Sequence, residues 1–313
     1  MDPEKVESFL DKNRDVLGRD FELEERKTGE SNHNFIIEAE EERYVLRVSR
    51  QVSRRSRLRE EAEALDFLEE QEVEHVPRLE WFGETEIGAV LIETFVGEEN
   101  IQKGDFDEEE LRRSAELLAD IHKISTEEYN DFFGTQKEQK ASLRKIYARE
   151  YRKWSERPYN EYLDAAEEPD ERLKEAYRRQ EKLFKTVPDI EVPQRPVHGD
   201  LGFNVRKSGE KVFFVDWEYF TTGFPGHDVV YFFEHEGLDE EEREVFLEEY
   251  RRHRELDKAF EENRERYRKF LAFNDMIWAA KRLETGEGDQ EKMQEIFDEK
   301  MELLEKLHEG LSG

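Results

Sequence analysis

His198, Asp200 and Asn204 share one short polar stretch, Val197-His-Gly-Asp-Leu-Gly-Phe-Asn204, and the apolar run Val212-Phe-Phe-Val215 then delivers Asp216, Trp217 and Glu218. That inventory suits phosphoryl transfer. One carboxylate accepts or orients the proton of an attacking hydroxyl, while a neutral amide oxygen and a second carboxylate hold the magnesium that bridges the ATP phosphates. The apolar run reads as a buried strand whose end presents Asp216 at a fixed place. His198, beside the loop, is expected to tie its backbone down by hydrogen bonds. In a chain this acidic a lone Asp-x-Glu carries little information. The ordered set of His-Gly-Asp, a nearby Asn, a buried strand and Asp-Trp-Glu carries much more.

Positioning these groups takes a sizeable scaffold, and 313 residues leave room for two lobes, each with its own core. Hydrophobic residues make up 35% of the chain and aromatics 12%, so Phe, Tyr and Trp must supply much of the packing. The formal charge of -31 argues against nucleic acid or an anionic membrane as partner. Acidic residues alternate with Arg and Lys in segments such as Asp239 to Arg254, the pattern of a solvated helix face, and adaptation to a salt-rich cytoplasm is one expectation from it. The absence of cysteine excludes disulfides, zinc-thiolate sites and a thiol nucleophile. With neither a signal-peptide pattern nor an apolar run of membrane-spanning length, the sequence reads as a soluble cytoplasmic protein.

Asp2-Pro3-Glu4 opens a helix carrying Val6, Phe9, Leu10 and Leu17 on one face, with Gly18 at its end. Alternating segments at 21–24, 34–38 and 43–48 then predict an antiparallel sheet. Residues 53–71 read as a helix, with Leu58, Ala62, Leu65 and Leu68 at helical spacing, and strands are expected around Leu79–Phe82 and Ala89–Ile92. The remainder is mainly helical. His122 reads as a packed core residue, and the aromatics Tyr147, Tyr151, Trp154, Tyr159 and Tyr162 as core or as one wall of an acceptor pocket. Asp131-Phe-Phe-Gly134 mimics a metal-binding Asp-Phe-Gly but precedes the His-Gly-Asp loop, the wrong order, and is set aside.

His198-Gly199-Asp200 with Asn204, and Val215-Asp216-Trp217-Glu218, resemble the signature of the aminoglycoside phosphotransferase and choline kinase families, relatives of the protein kinases. The resemblance implies an α+β fold of two lobes, a protein-kinase-like N-terminal antiparallel sheet lobe over residues 1–97 and a larger, mainly helical C-terminal lobe over 98–313. It implies ATP and Mg2+ as cofactors and a hydroxyl on a small molecule as acceptor. One departure stands out. The kinase loop places four residues between Asp and Asn, whereas here Leu201, Gly202 and Phe203 alone separate Asp200 from Asn204. Either the loop is tighter, with Gly202 absorbing the deletion, or Asn204 is not the metal ligand.

By the same resemblance Asp200 orients and deprotonates the acceptor, and Asn204 and Asp216 bind metal. Thr28-Gly29-Glu-Ser31-Asn32 looks like the nucleotide loop, although by itself it reads as a hairpin turn. Arg47 stands where the phosphate-contacting cation belongs. Glu61 is its candidate partner, with Glu60 and Glu63 as competitors. Glu93 to Gly97, including Phe95, resembles the hinge whose backbone meets adenine. Glu218, Trp217, Tyr219 and Trp278 are candidates for holding a cationic amine, by charge and cation–π contact. Asp228 reads as an N-cap or loop anchor. A non-catalytic nucleotide-binding module is the alternative that the short spacing favours. The oligomeric state is left open.

Overall fold

A computed structural model describes residues 1–28, 32–49, 55–97 and 99–309. Its contacts divide the chain into two compact units, Met1–Lys137 with Arg195–Thr222 and His235–Glu255, and Glu138–Gln194 with Gly223–Glu234 and Leu256–Gly313.

The first unit begins with α1 (Pro3–Lys12), capped by the Asp2 carboxylate on the Glu4 N–H, and with the short α2 (Arg14–Leu17), which Gly18 ends in the left-handed conformation. Strands β1 (Glu22–Thr28), β2 (Asn32–Ala39) and β3 (Glu42–Ser49) follow, then α3 (Arg55–Glu70), β4 (Leu79–Thr85) and β5 (Gly88–Thr94). The five strands form an antiparallel sheet in the order β1-β2-β3-β5-β4. Alternation gives it two different faces. Phe35, Ile37, Leu46, Val48, Val90 and Ile92 point to one side, where they enclose Val6, Phe9 and Leu10 of α1 in an apolar core. On the other side Leu58 and Ala62 of α3 pack on Ala89 and Leu91. Asn34 pairs with Arg47, and Val45 with Glu93, so the α3 side also carries the polar residues.

After β6 (Glu99–Asn100), the capping box of Asp107 and Glu110 starts α4 (Glu108–Lys123). There His122 is fully buried, 2.8 Å from the Tyr250 hydroxyl, as a core residue. Residues 131–134 are the end of α5 (Thr126–Phe133) with its left-handed Gly134 cap, an ordinary helix terminus.

The second unit takes up the chain with β7 (Lys140–Ser142) and α6 (Leu143–Glu150). A π-helical turn at Tyr151–Glu156 leads into α7 (Arg157–Ala165), and α8 (Glu171–Lys185) and β8 (Glu191–Pro193) follow. The aromatics of this stretch are largely core: Tyr159 stacks on Tyr177 with ring centres 3.9 Å apart, and Tyr151 stacks on Phe184 at 5.2 Å. Back in the first unit, β9 (Arg195–Val197) precedes the loop of His198. β10 (Val205–Ser208) then pairs with β11 (Lys211–Phe214) and β6. Beyond β12 (Thr221–Gly223) come α9 (Pro225–His235), α10 (Glu240–His253), α11 (Lys258–Thr285) and α12 (Gln290–Glu309). Asp228 is buried in the first turn of α9, inside the helix, so it is not an N-cap.

Candidate active site

The loop between β9 and β10 is held by its own side chains. The His198 ring is fully buried; its Nδ1 accepts the Asp200 N–H at 3.3 Å and its Nε2–H donates to the Val215 carbonyl at 3.1 Å. Those two bonds select the neutral ring with its proton on Nε2. One imidazole therefore ties Asp200 to the residue before Asp216, the backbone role expected of it. Asn204 donates from Nδ2 to the Asp200 carbonyl at 2.7 Å, and its own carbonyl accepts the Val215 N–H at 3.0 Å. With the amide nitrogen committed, Oδ1 is the atom of Asn204 available to a cation. The short spacing is absorbed at Phe203, whose φ is +64°, and Gly202 is not among the positive-φ residues. Gly199 is required as glycine: its φ is +82°, and a Cβ there would lie 2.6 Å from the Tyr219 carbonyl oxygen.

Asp216, at the exit of β11, also adopts a left-handed φ, +68°, rare for a residue with a Cβ and a conformation that persists only when its surroundings impose it. They do so here. Arg47 Nη1 lies 3.2 Å from Asp216 Oδ1 and 3.0 Å from Glu61 Oε1, and Nη2 lies 2.9 Å from Glu93 Oε1. Glu61 Oε1 also accepts the Trp217 N–H at 3.2 Å. One turn earlier on α3, Arg57 donates to the Glu218 carbonyl at 3.3 Å and lies 4.7 Å from the centre of the Tyr219 ring. The Asp216 side chain is 40% exposed, whereas Glu61 is fully buried and Glu93 nearly so.

Burial works against the Arg47 charge, but Glu61, Glu93 and Asp216 outweigh it and hold the guanidinium pKa well above its ordinary value. Burial pushes Glu61 and Glu93 upward despite Arg47. It also lowers Arg206, helped by the nearby Arg47 charge. Three carboxylates thus share one guanidinium. Beside them, Asn32 Oδ1, Asn34 Oδ1, Ser49 Oγ and Arg47 Nε are buried without a hydrogen-bond partner among the described residues. Strand register puts all four side chains on the α3 side of the sheet. Buried polar atoms left unpaired in a row are what a polar ligand would satisfy.

Of the residues singled out by sequence, the structure brings His198, Asp200, Asn204, Asp216, Arg47, Glu61, Glu93 and Glu218 into this one network. Glu61 is selected over its neighbours, Glu60 and Glu63 being exposed. Gly29 and Ser31 lie outside the described residues. Phe95 departs from expectation, because its N–H already donates to the Arg43 carbonyl at 3.0 Å and Arg43 sits over its ring. Trp217 departs too. It is fully buried, its indole N–H donates to Phe214 O at 3.1 Å, and its ring packs against His198, so it supports the loop and offers no surface to an acceptor. Trp278 belongs to the second unit, 39% exposed, with Arg282 4.2 Å from its ring centre. Sequence reasoning missed the Glu93–Arg47 pair and the contacts of Arg57. An acid closing the apolar run Ala89–Ile92 was a legible hint of the first; nothing marks Arg57 among its neighbours.

Among the described residues no group of three or more His, Cys, Asp or Glu is arranged to hold a metal by itself, and no helix is long and apolar enough to cross a membrane. Asn204 Oδ1 and the Asp216 carboxylate could supply oxygen donors of the kind that suits Mg2+, an ion whose coordination is usually completed by waters and substrate phosphates.

Several known proteins share this architecture. The choline kinase LicA from Streptococcus pneumoniae superposes with a TM-score of 0.67 at 17% identity, covering 97% of this chain and 99% of that one. Spectinomycin phosphotransferase APH(9)-Ia, solved with ADP and spectinomycin, gives 0.68 at 13% identity over 96% and 98%. A choline/ethanolamine kinase family protein from Mesorhizobium loti gives 0.64 at 17% identity over 98% and 95%. These likenesses establish the kinase-like fold, an antiparallel sheet lobe with a larger helical portion. A LicA homolog from Metamycoplasma hominis is 46% identical over 56 residues, 18% of this chain, and the match spans 22% of that relative's length. The model of the phosphotransferase enzyme family, APH, matches residues 22–270. The chain belongs to that family.

Proposed function

We propose that this family member transfers the γ-phosphoryl group of ATP to a hydroxyl of a small molecule, with Asp200 as the group that orients the acceptor hydroxyl and takes its proton. The observation that carries this reading is the Arg47 fork, which joins the nucleotide-side sheet to α3 and to Asp216 through bonds of 2.9–3.2 Å. Asn32 and Arg47 face the phosphates, with Gly29 and Ser31 assigned to the same loop. Asn204 Oδ1 and Asp216 would hold Mg2+, which would supply positive charge to offset that of the phosphates. His198 keeps the Asp200 backbone in place. Residues 1–97 serve the nucleotide and 98–313 the acceptor.

For the acceptor we favour a cationic amino alcohol or an aminoglycoside. Glu218 and Tyr219 lie two and three residues after the metal acid, and the -31 charge favours a cationic substrate over an anionic one. We place the chain in the cytoplasm, where ATP is available, and read its acidic surface as suited to high salt. The test is Mg2+-dependent ADP release across choline, ethanolamine, aminoglycosides, thiamine, homoserine and sugars, with Asp200→Asn alongside. Release stimulated by one acceptor, and reduced about 10²–10⁴-fold in the variant with ATP affinity retained, is expected. ATP binding without release under any acceptor points to a nucleotide-binding module instead.

A further inference from the structure

Glu236 follows the last residue of α9 and is fully buried. Its Oε1 accepts the Phe203 N–H at 2.6 Å, and its main-chain carbonyl accepts the Gly104 N–H at 2.9 Å, so backbone and side chain are both anchored. Its other oxygen, Oε2, is buried with no hydrogen-bond partner among the described residues. Burial raises the carboxyl to about 7, against the lowering effects of the Phe203 N–H, His235 and Lys103. An acid kept in such a place, for a single strong bond, owes its value to that bond. Phe203 is the residue between Asp200 and Asn204 that takes the left-handed φ, and its ring is 61% exposed. Packing of the ring therefore contributes little to holding that conformation, although it lies edge-to-face with His235, ring centres 5.7 Å apart.

We propose that Glu236 is a positioning residue: its side-chain oxygen fixes the Phe203 turn and thereby holds Asn204 in the orientation that leaves Oδ1 open to a metal despite the shortened loop. This rests on the reading of Asn204 as a metal ligand. The mechanism is geometric. Without an acceptor for its N–H, a Phe prefers negative φ, and swinging residue 203 back rotates the next peptide and carries Asn204 off its bond to the Asp200 carbonyl.

The probe is Mn2+ binding to the full chain in saturating ADP, followed by electron paramagnetic resonance, with thermal unfolding as a check on the fold. Glu236→Leu should weaken Mn2+ affinity by about 10–100-fold, the usual effect of removing a group that orients a metal ligand. Glu236→Gln, which keeps an acceptor oxygen, should stay within about three-fold of the parent. Adding Phe203→Gly to Glu236→Leu should restore affinity, because glycine takes positive φ unaided; a merely structural loss would not be rescued this way. If Glu236→Leu does not fold, Phe203→Pro removes the same N–H and the same φ on an exposed side chain, and must show the same weakening. Asn204→Ala separates the two ideas. Unchanged Mn2+ affinity in Asn204→Ala overturns the metal-ligand reading, whereas weakened affinity there with parental affinity in Glu236→Leu overturns the positioning role alone.

Discussion

Replacing Arg47 by Met keeps the bulk of the stem but withdraws the guanidinium shared by Glu61, Glu93 and Asp216. Glu61 and Glu93 are almost wholly buried, so each becomes an uncompensated buried acid. Breaking a buried pair in this way costs about 3–5 kcal/mol. The Asp216 contact adds little, since that side chain is 40% exposed and solvent screens it. The losses share one cation and do not add, so about 3–5 kcal/mol is the expected total at pH 7. The sign of its pH dependence follows. Without Arg47 the two glutamates ionise only at still higher pH, so the variant's deficit is present near neutrality and shrinks as pH falls and both become protonated. Urea unfolding at pH 7.5 and pH 5 measures this, with the triple variant Arg47→Met/Glu61→Gln/Glu93→Gln as the control that should regain most of the loss at pH 7.5. Parental stability of Arg47→Met at pH 7.5, or a deficit equally large at pH 5, would refute the electrostatic reasoning.

Other outcomes follow from the same geometry. Gly199→Ala should lose about 1–3 kcal/mol through strain at positive φ and through the clash with Tyr219 O, and turnover should fall with it; calorimetry and an activity assay check both. Glu236 has its carboxyl raised from 4.5 to about 7, so the stability associated with its neutral form is lost as pH rises between those values. At about 1.4 kcal/mol per unit this amounts to about 3 kcal/mol, and Glu236→Gln, which stays neutral, should gain on the parent by that amount between pH 5 and pH 8 in denaturant titrations; a constant difference would contradict it. With a charge of -31, the protein should unfold at higher temperature in molar KCl than in dilute buffer, and equal midpoints would count against high-salt adaptation.

Much of the fold was legible because it rests on local patterns. Alternation from Phe35 to Val48 gave the strands and their inner face, and Asp2-Pro3 and Gly18 marked the first helical segment. The loop of His198, Asp200 and Asn204 was legible because its groups are close in sequence. The rest depended on side chains meeting across long separations. Glu61 could not be told from Glu60 and Glu63 until α3 had a rotational setting on the sheet. Trp217 reads as a binding aromatic in sequence, yet the bend at Asp216 turns it inward beneath His198. Phe203 as the left-handed residue was hidden by Gly202, since adopting positive φ unaided is what glycine does, and the carboxylate that stabilises Phe203 instead lies far along the chain.

Glu61 accepts a hydrogen bond from Arg47 through Oε2 and from the Trp217 N–H through Oε1, with Arg57 a turn away on the Glu218 carbonyl. α3 and the segment 216–219 therefore behave as a single mechanical piece, hinged to the sheet through Arg47. Thickening the layer beneath α3, for instance with a bulkier residue at Ala62, lifts the helix and pulls on Asp216 without touching it. Sequence drift in that small apolar seam is thus constrained by chemistry as well as by packing, and compensating changes at 58, 62, 89 and 91 are where related chains should be found to vary together.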